Sequence, residues 1–212
     1  MDEQLYEPDL EVRSLFSRAW TVFRAHLGST IAVFLIYSLL TGSPSFWDGD
    51  GWFFGFADLL QLAIAGPITA GTYMFALRLA RGEAPDLGEI FRGFQVFGRA
   101  FGVFVLYTVM VVVGLVLLII PGIYIAVAFM PAMYLVLDDD LGVIDTLQKA
   151  WAMTDGRRGR IFIVLMAIAG LNLLGLVAFL IGVIFTGALS LLVGASLYDE
   201  LAHAHRNETE AF

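Results

Sequence analysis

Ala100-FGVFVLYTVMVVVGLVLLIIPGIYIAVAFMPAMYLV-Leu137 is a run of 38 residues without Asp, Glu, Lys, Arg or His, bounded by Arg99 and Asp138. A membrane-crossing helix needs about 20 apolar residues, so this run holds two. Gly114 and Pro121-Gly122 punctuate its middle and predict the turn of a helical hairpin between 114 and 122. Pro121 suits the first turn of the second helix, where its missing N–H costs nothing. A second uncharged run, Ile161 to Tyr198, has the same length of 38 and lies between Arg160 and Asp199. Its turn is expected between 172 and 182.

The rest of the chain follows from these two hairpins. The 212 residues are 59% hydrophobic and 15% charged, against roughly 25% charged in soluble domains. The apolar surplus is contiguous, so lipid receives it. A further pair of spans is expected at about 27–41 and 56–80. The first is short, and the preceding helix is expected to lend it a turn. Gly66-Pro67 is expected to kink the second or to open its regular part. The fold class is therefore all-α, a polytopic bundle of six transmembrane helices in one membrane domain, 1–212. The first eleven residues carry five acids and no apolar core of a signal peptide. An uncleaved first span acting as the insertion signal is expected.

Three amphipathic segments precede the three pairs of spans. In the first, Val12, Leu15, Phe16, Ala19, Trp20, Val22 and Phe23 share a side opposite Arg13 and Arg24, the pattern of a helix lying in the interface. Asp86 and Glu89 form a capping pattern ahead of Leu87, Ile90, Phe91, Phe94 and Phe97. Ile144, Leu147, Ala150 and Trp151 define the third. A polar start, a short helix and two spans thus recur, giving repeat units of about 9–80, 86–137 and 140–198. With two spans in each, the units are parallel repeats.

All 12 Lys and Arg residues fall in four segments that an even number of spans places on one side: Arg13, Arg18, Arg24; Arg78, Arg81, Arg92, Arg99; Lys149, Arg157, Arg158, Arg160; and Arg206. The positive-inside rule then puts both termini in the cytoplasm of a multi-pass protein of the plasma (inner) membrane. Arg13, Arg24, Arg92, Arg99, Arg157, Arg158 and Arg160 are candidates for lipid headgroups, with Trp20, Trp47, Trp52 and Trp151 as interfacial anchors. Membrane lipids are the expected partners.

Several chemistries are excluded or disfavoured. There is no cysteine, hence no disulfide or thiolate site. The net charge of −8 argues against nucleic acid. No catalytic or phosphate-loop motif is present, so no enzyme activity, cofactor or metal is expected. Asp138-Asp139-Asp140, on the same side as His203 and His205, offers a cation site as its sharper reading and span termination as its plainer one. Ala178, Gly182, Thr186, Ser190 and Gly194, spaced by four, form a row of small residues on span six if that span is one helix. Such rows let helices approach closely. Packing within the bundle is the plain reading, and a homodimer or another membrane protein the sharper.

Leu118-Ile-Ile-Pro-Gly-Ile-Tyr124, Asp140-Leu-Gly142, Ala150-Trp151 and Thr154-Asp-Gly156 together resemble a known pattern. It is that of the uncharacterised six-span inner-membrane family related to the membrane domain fused to some glycerophosphodiester phosphodiesterases. The resemblance covers Leu118 to Arg160 and the six-span layout. Where that family often has Ser before the helical Trp, this chain has Ala150. The resemblance implies a membrane module near lipid metabolism. It does not bring the phosphodiesterase activity, since these residues hold no counterpart of that catalytic domain. The leading expectation is a non-enzymatic module in envelope or lipid homeostasis, or a membrane partner of another protein. The alternative is a small-solute transporter or channel.

Overall fold

The computed structural model describes residues 10–42, 56–177 and 179–210. Among them there are helices and no strand. The order is α1 (Val12–Ala25), α2 (Leu27–Thr41), α3 (Phe56–Ala80), a 3₁₀ segment (Leu87–Val96), α4 (Phe97–Leu117), α5 (Ile119–Ala128), α6 (Ala132–Asp138), α7 (Val143–Thr154), α8 (Arg158–Val177) and α9 (Phe179–Glu210). Among the described residues five helices are long and apolar enough to cross a membrane, with α5 and α6 counted together. A sixth is reached if α1 and α2 form one bent span. The chain is an all-α membrane bundle.

α1 and α2 meet at 98°, so α1 does not continue the first span in a straight line. The corner is His26, whose carbonyl takes the hydroxyls of Ser29 and Thr30 at 3.0 and 2.9 Å. Leu15, Ala19 and Phe23 of α1 are buried, one turn apart on the face that meets α9. α2 has 15 residues, about 22 Å at 1.5 Å per residue.

α3 stands at the centre and touches α1, α2, α4, α6, α9 and the 3₁₀ segment. Its helix runs through Pro67 without a break. The 3₁₀ segment lies against it with almost no gap. A Cβ on Gly71 would stand 1.9 Å from the Ile90 carbonyl oxygen, and one on Gly93 would stand 1.9 Å from that of Pro67. The pairing has a simple geometry. Three residues of a 3₁₀ helix and four of an α-helix both rise about 6 Å. The pairs Ile90 with Gly71 and Gly93 with Pro67 therefore stay in step. The same eclipsing on the opposite side stacks Phe91, Phe94 and Phe97, with centroids 6.5 and 6.4 Å apart, and Phe97 meets Phe101 at 5.7 Å. This ladder is exposed at Phe91, Phe94 and Phe97, an apolar edge suited to lipid.

The hairpin turn of the first uncharged run falls at Leu118, extended between α4 and α5. Pro121 sits in the first turn of α5. Gly114 and Gly122 bring the two helices together. Span four is not the single helix expected from the sequence. It stops at Ala128 and resumes at Ala132, because Pro131 has no N–H to give. The Ala132 N–H turns back to the Phe129 carbonyl at 3.0 Å instead of reaching Ala128. The freed Ala128 carbonyl accepts the fully buried Thr154 hydroxyl at 3.1 Å. The buried face of α7 is also rotated from the expected one. It carries Thr146, Leu147, Ala150, Met153 and Thr154, while Ile144 and Trp151 are exposed at its flank. The contacts that α7 makes with α4, α5, α6 and α9 select that face.

α8 is peripheral. Of its apolar surface, Ile161 and Val164 are buried, and Ile163, Met166, Leu173, Leu174, Leu176 and Val177 are exposed. α9 has 32 residues, about 48 Å, so it overshoots the ~30 Å hydrocarbon layer. The charged residues beyond Tyr198 lie on the overshoot.

Candidate functional site

The two uncharged runs end at Leu137 and Tyr198, and the acids that follow them, Asp138 and Asp199, grip the same arginine. α3 closes in a left-handed turn at Gly82, φ 82°. The Glu83 N–H reaches back to the Arg78 carbonyl and the Gly82 N–H to that of Leu79, the hydrogen bonding of a glycine-terminated helix. That turn leaves Arg81 as the last residue before the loop. Its Nη1 and Nη2 donate to the two oxygens of Asp138 at 2.8 and 3.0 Å, and its Nε to Asp199 at 2.8 Å. The Tyr198 hydroxyl donates to Asp138 at 2.8 Å. A planar fork on a carboxylate fixes orientation as well as charge. Burial acts to raise the Asp138 pKa. The hydrogen bonds from Arg81 and Tyr198, with the Arg81 charge, outweigh it and hold the carboxyl below its usual range.

The next two aspartates diverge. Asp139 accepts from Lys149 of α7 at 2.8 Å, and Asp140 from Arg99 of α4. Successive residues point apart, so the three carboxylates tie three elements to the end of α6. Among the described residues no group of three His, Cys, Asp or Glu side chains gathers as a metal site. Exposure ranks the ties. Arg81 and Asp138 are 26% and 22% exposed, whereas Asp140 is 95% exposed, which makes its pair a surface one worth about 0–1 kcal/mol.

Tyr198 begins a stack that runs into the bundle. Its ring lies 4.9 Å from Tyr134, which lies 4.7 Å from Tyr73. Gly194 allows this, since a Cβ there would stand 2.7 Å from the Tyr134 hydroxyl. Sequence reasoning missed Arg81, Tyr198 and the Tyr stack as a unit. Its available signal was positional: Arg81, Asp138 and Asp199 all lie at span boundaries.

The residues singled out from the sequence divide into two groups. Arg92 pairs with Glu89 at 2.9 Å, Arg99 with Asp140 and Arg157 with Glu208. Arg158 lies over Trp151 and Tyr124 at 4.0 and 4.9 Å and donates to the Tyr124 hydroxyl. Arg13, Arg24 and Arg160 are exposed. Trp20, 48% exposed, stacks on Phe23 at 5.9 Å. Trp47, Trp52 and Ala178 lie outside the described residues.

The small-residue row faces its own chain. Gly175 of α8 approaches Gly182 and Thr186 so closely that its Cβ would stand 2.2 Å from the Thr186 hydroxyl. Asn172 donates to Ser190 at 2.8 Å. Gly194 meets Tyr134 of α6.

These features define a helical membrane protein whose spans meet through glycine and whose charged end is cross-linked by ion pairs. No family model, curated protein or solved structure matches the chain.

Proposed function

We propose that the chain is a non-enzymatic module of the inner membrane, with both termini cytoplasmic, acting in envelope or lipid homeostasis through contact with anionic lipid. The observation that carries this is the use made of polar and small residues within the spans. Gly66, Gly71, Gly93, Gly114, Gly175 and Gly187 each bring helices into direct contact. Asn172, Ser190 and Thr186 spend their hydrogen bonds on helix–helix or local partners. A bundle packed in this way favours a module over the alternative of a solute pathway. The exposed cations of α1 support contact with lipid. Arg13, Trp20 and Arg24 lie at i, i+7 and i+11, so Trp20 shares the stripe of the two arginines rather than the opposite side expected from the sequence, and α1 is turned 98° from α2. A cationic stripe with Trp is suited to the headgroup layer.

The test is extraction of the full chain with its native lipid into polymer-bounded discs, followed by lipid and protein mass spectrometry. Anionic lipid enriched over the bulk membrane, and reduced in Arg13→Gln/Arg24→Gln, is expected. Bulk lipid composition together with solute flux in proteoliposomes would replace this reading with the transporter. Orientation is read from single cysteines, since the chain has none. An impermeant thiol reagent on intact cells should label Ser45→Cys and leave Arg160→Cys unlabelled; the reverse would invert the topology.

A further inference from the structure

At the charged end, α3, α6, α7 and α9 enclose a cavity of about 120 Å³. Arg81, Lys149, His205 and Arg206 line it with Asp138 and Asp139, over a floor that includes Met153 and Tyr198. We propose that this cavity is a binding site for a phosphate ester group, carried by a lipid headgroup or by a soluble phosphate. The proposal does not depend on the lipid-module reading, because a soluble phosphate would satisfy it.

Lys and Arg outnumber Asp in the lining, three to two. Asp138 already accepts both arms of Arg81 and the Tyr198 hydroxyl, and Asp139 accepts Lys149 through one oxygen. On the donor side, Lys149 has three N–H groups and gives one to Asp139. Arg206 forms no ion pair among the described residues. Its side-chain hydrogen bond there runs from Nε to the Ala202 carbonyl at a long 3.4 Å, which leaves its two terminal nitrogens without a hydrogen-bond partner among the described residues. An arginine fork beside a lysine and an imidazole matches the several acceptor oxygens of a phosphate group. A neutral ligand would leave those charged donors unmatched, and a cation would find one oxygen of Asp139 set against three positive side chains.

The local field has the same sign. His205 is pushed below its ordinary pKa by burial and by the Lys149 and Arg157 charges, against the opposing effect of Glu208. The groups facing it from the surrounding elements are Arg81, Asp138, Asp139, Lys149, Arg157, Arg206 and Glu208. An anion seated between Lys149 and Arg206 would offset the cost of charging His205, so its protonation, which lies below the ordinary imidazole range in the free site, should tighten binding as pH falls.

The experiment uses the full chain in a neutral detergent, followed by thermal unfolding. Inorganic phosphate is titrated against chloride at constant ionic strength. In a second arm, micelles contain phosphatidic acid or, at equal fraction, diacylglycerol, which has the same chains without the phosphate. Saturable stabilisation of about 2–4 °C is expected, from phosphate in both arms or from phosphatidic acid alone. The second pattern assigns the group to a lipid. Arg206→Gln should abolish the shift, whereas Arg78→Gln, the same charge change at a residue paired with Glu83 and Glu89 outside the cavity, should retain it. Arg206 is exposed on α9 and forms no ion pair among the described residues, and the melting temperature of Arg206→Gln without ligand checks that its fold is kept. No shift in the native chain from either ligand, a shift equal with diacylglycerol, or equal loss in Arg78→Gln would overturn the proposal.

Discussion

The Thr154 hydroxyl reaches the carbonyl of Ala128, 26 residues earlier and inside the bundle, at 3.1 Å, and shares its one proton between that carbonyl and the Trp151 carbonyl of its own helix at 3.0 Å. The bond repairs a helix that Pro131 breaks. The main chain offers Ala128 nothing in return, because the Ala132 N–H bonds Phe129. The end of α7 is thereby pinned to the middle of span four, and the turn through Gly156, φ 69°, can launch α8 from a fixed point. Thr154→Val keeps the shape and removes the donor, so a buried carbonyl is left unpaired at a cost of about 1–3 kcal/mol. Thr154→Ser keeps the donor and should lose much less. Thermal unfolding of both variants in detergent measures the difference. Equal losses would show that the methyl group, not the hydrogen bond, matters there.

Gly93 and Gly71 carry the contact between the 3₁₀ segment and α3. An added Cβ has no flexible neighbour to displace, since each would meet backbone oxygen at 1.9 Å. Gly93→Ala and Gly71→Ala should each cost about 1–3 kcal/mol or more, the range for overpacking. Gly88→Ala, on the same segment with nothing within 4 Å, is the control and should be near neutral. Melting curves of the three variants decide it. Equal tolerance at all three positions would mean that the segment can lift away from α3.

Asp138 makes stability depend on acid in a defined direction. Its folded pKa lies below the unfolded value, so its ties to Arg81 and Tyr198 are fully present above the unfolded value of about 3.9. They are lost as pH falls through the folded value. The difference in melting temperature between the native chain and Asp138→Asn should therefore be constant from pH 7 to about 5 and close below about pH 4. A gap unchanged at pH 3 would place the stabilisation elsewhere than in the ionised carboxylate.

The sequence by itself determined the class, the hairpins and their turns. These follow from local rules: 38 uncharged residues cannot be buried in so small a protein except in lipid, and Leu118 to Pro121 cannot continue one helix into the next. It also marked the amphipathic segments, since periodicity is a property of consecutive residues. The tertiary structure decided which faces were used. Ile144 and Trp151 belong to the apolar side of α7 by spacing, yet they flank the buried face because α4, α6 and α9 select Leu147, Ala150 and Met153. The 3₁₀ winding of Leu87–Val96 is set by the need to stay in step with α3. The break at Pro131 could be suspected from one residue, but its repair by Thr154 could not. Arg81, Asp138, Asp199 and Tyr198 come from three helices separated by up to 118 positions. No local pattern joins them, because charge pairing across a bundle is fixed by where the spans end in space.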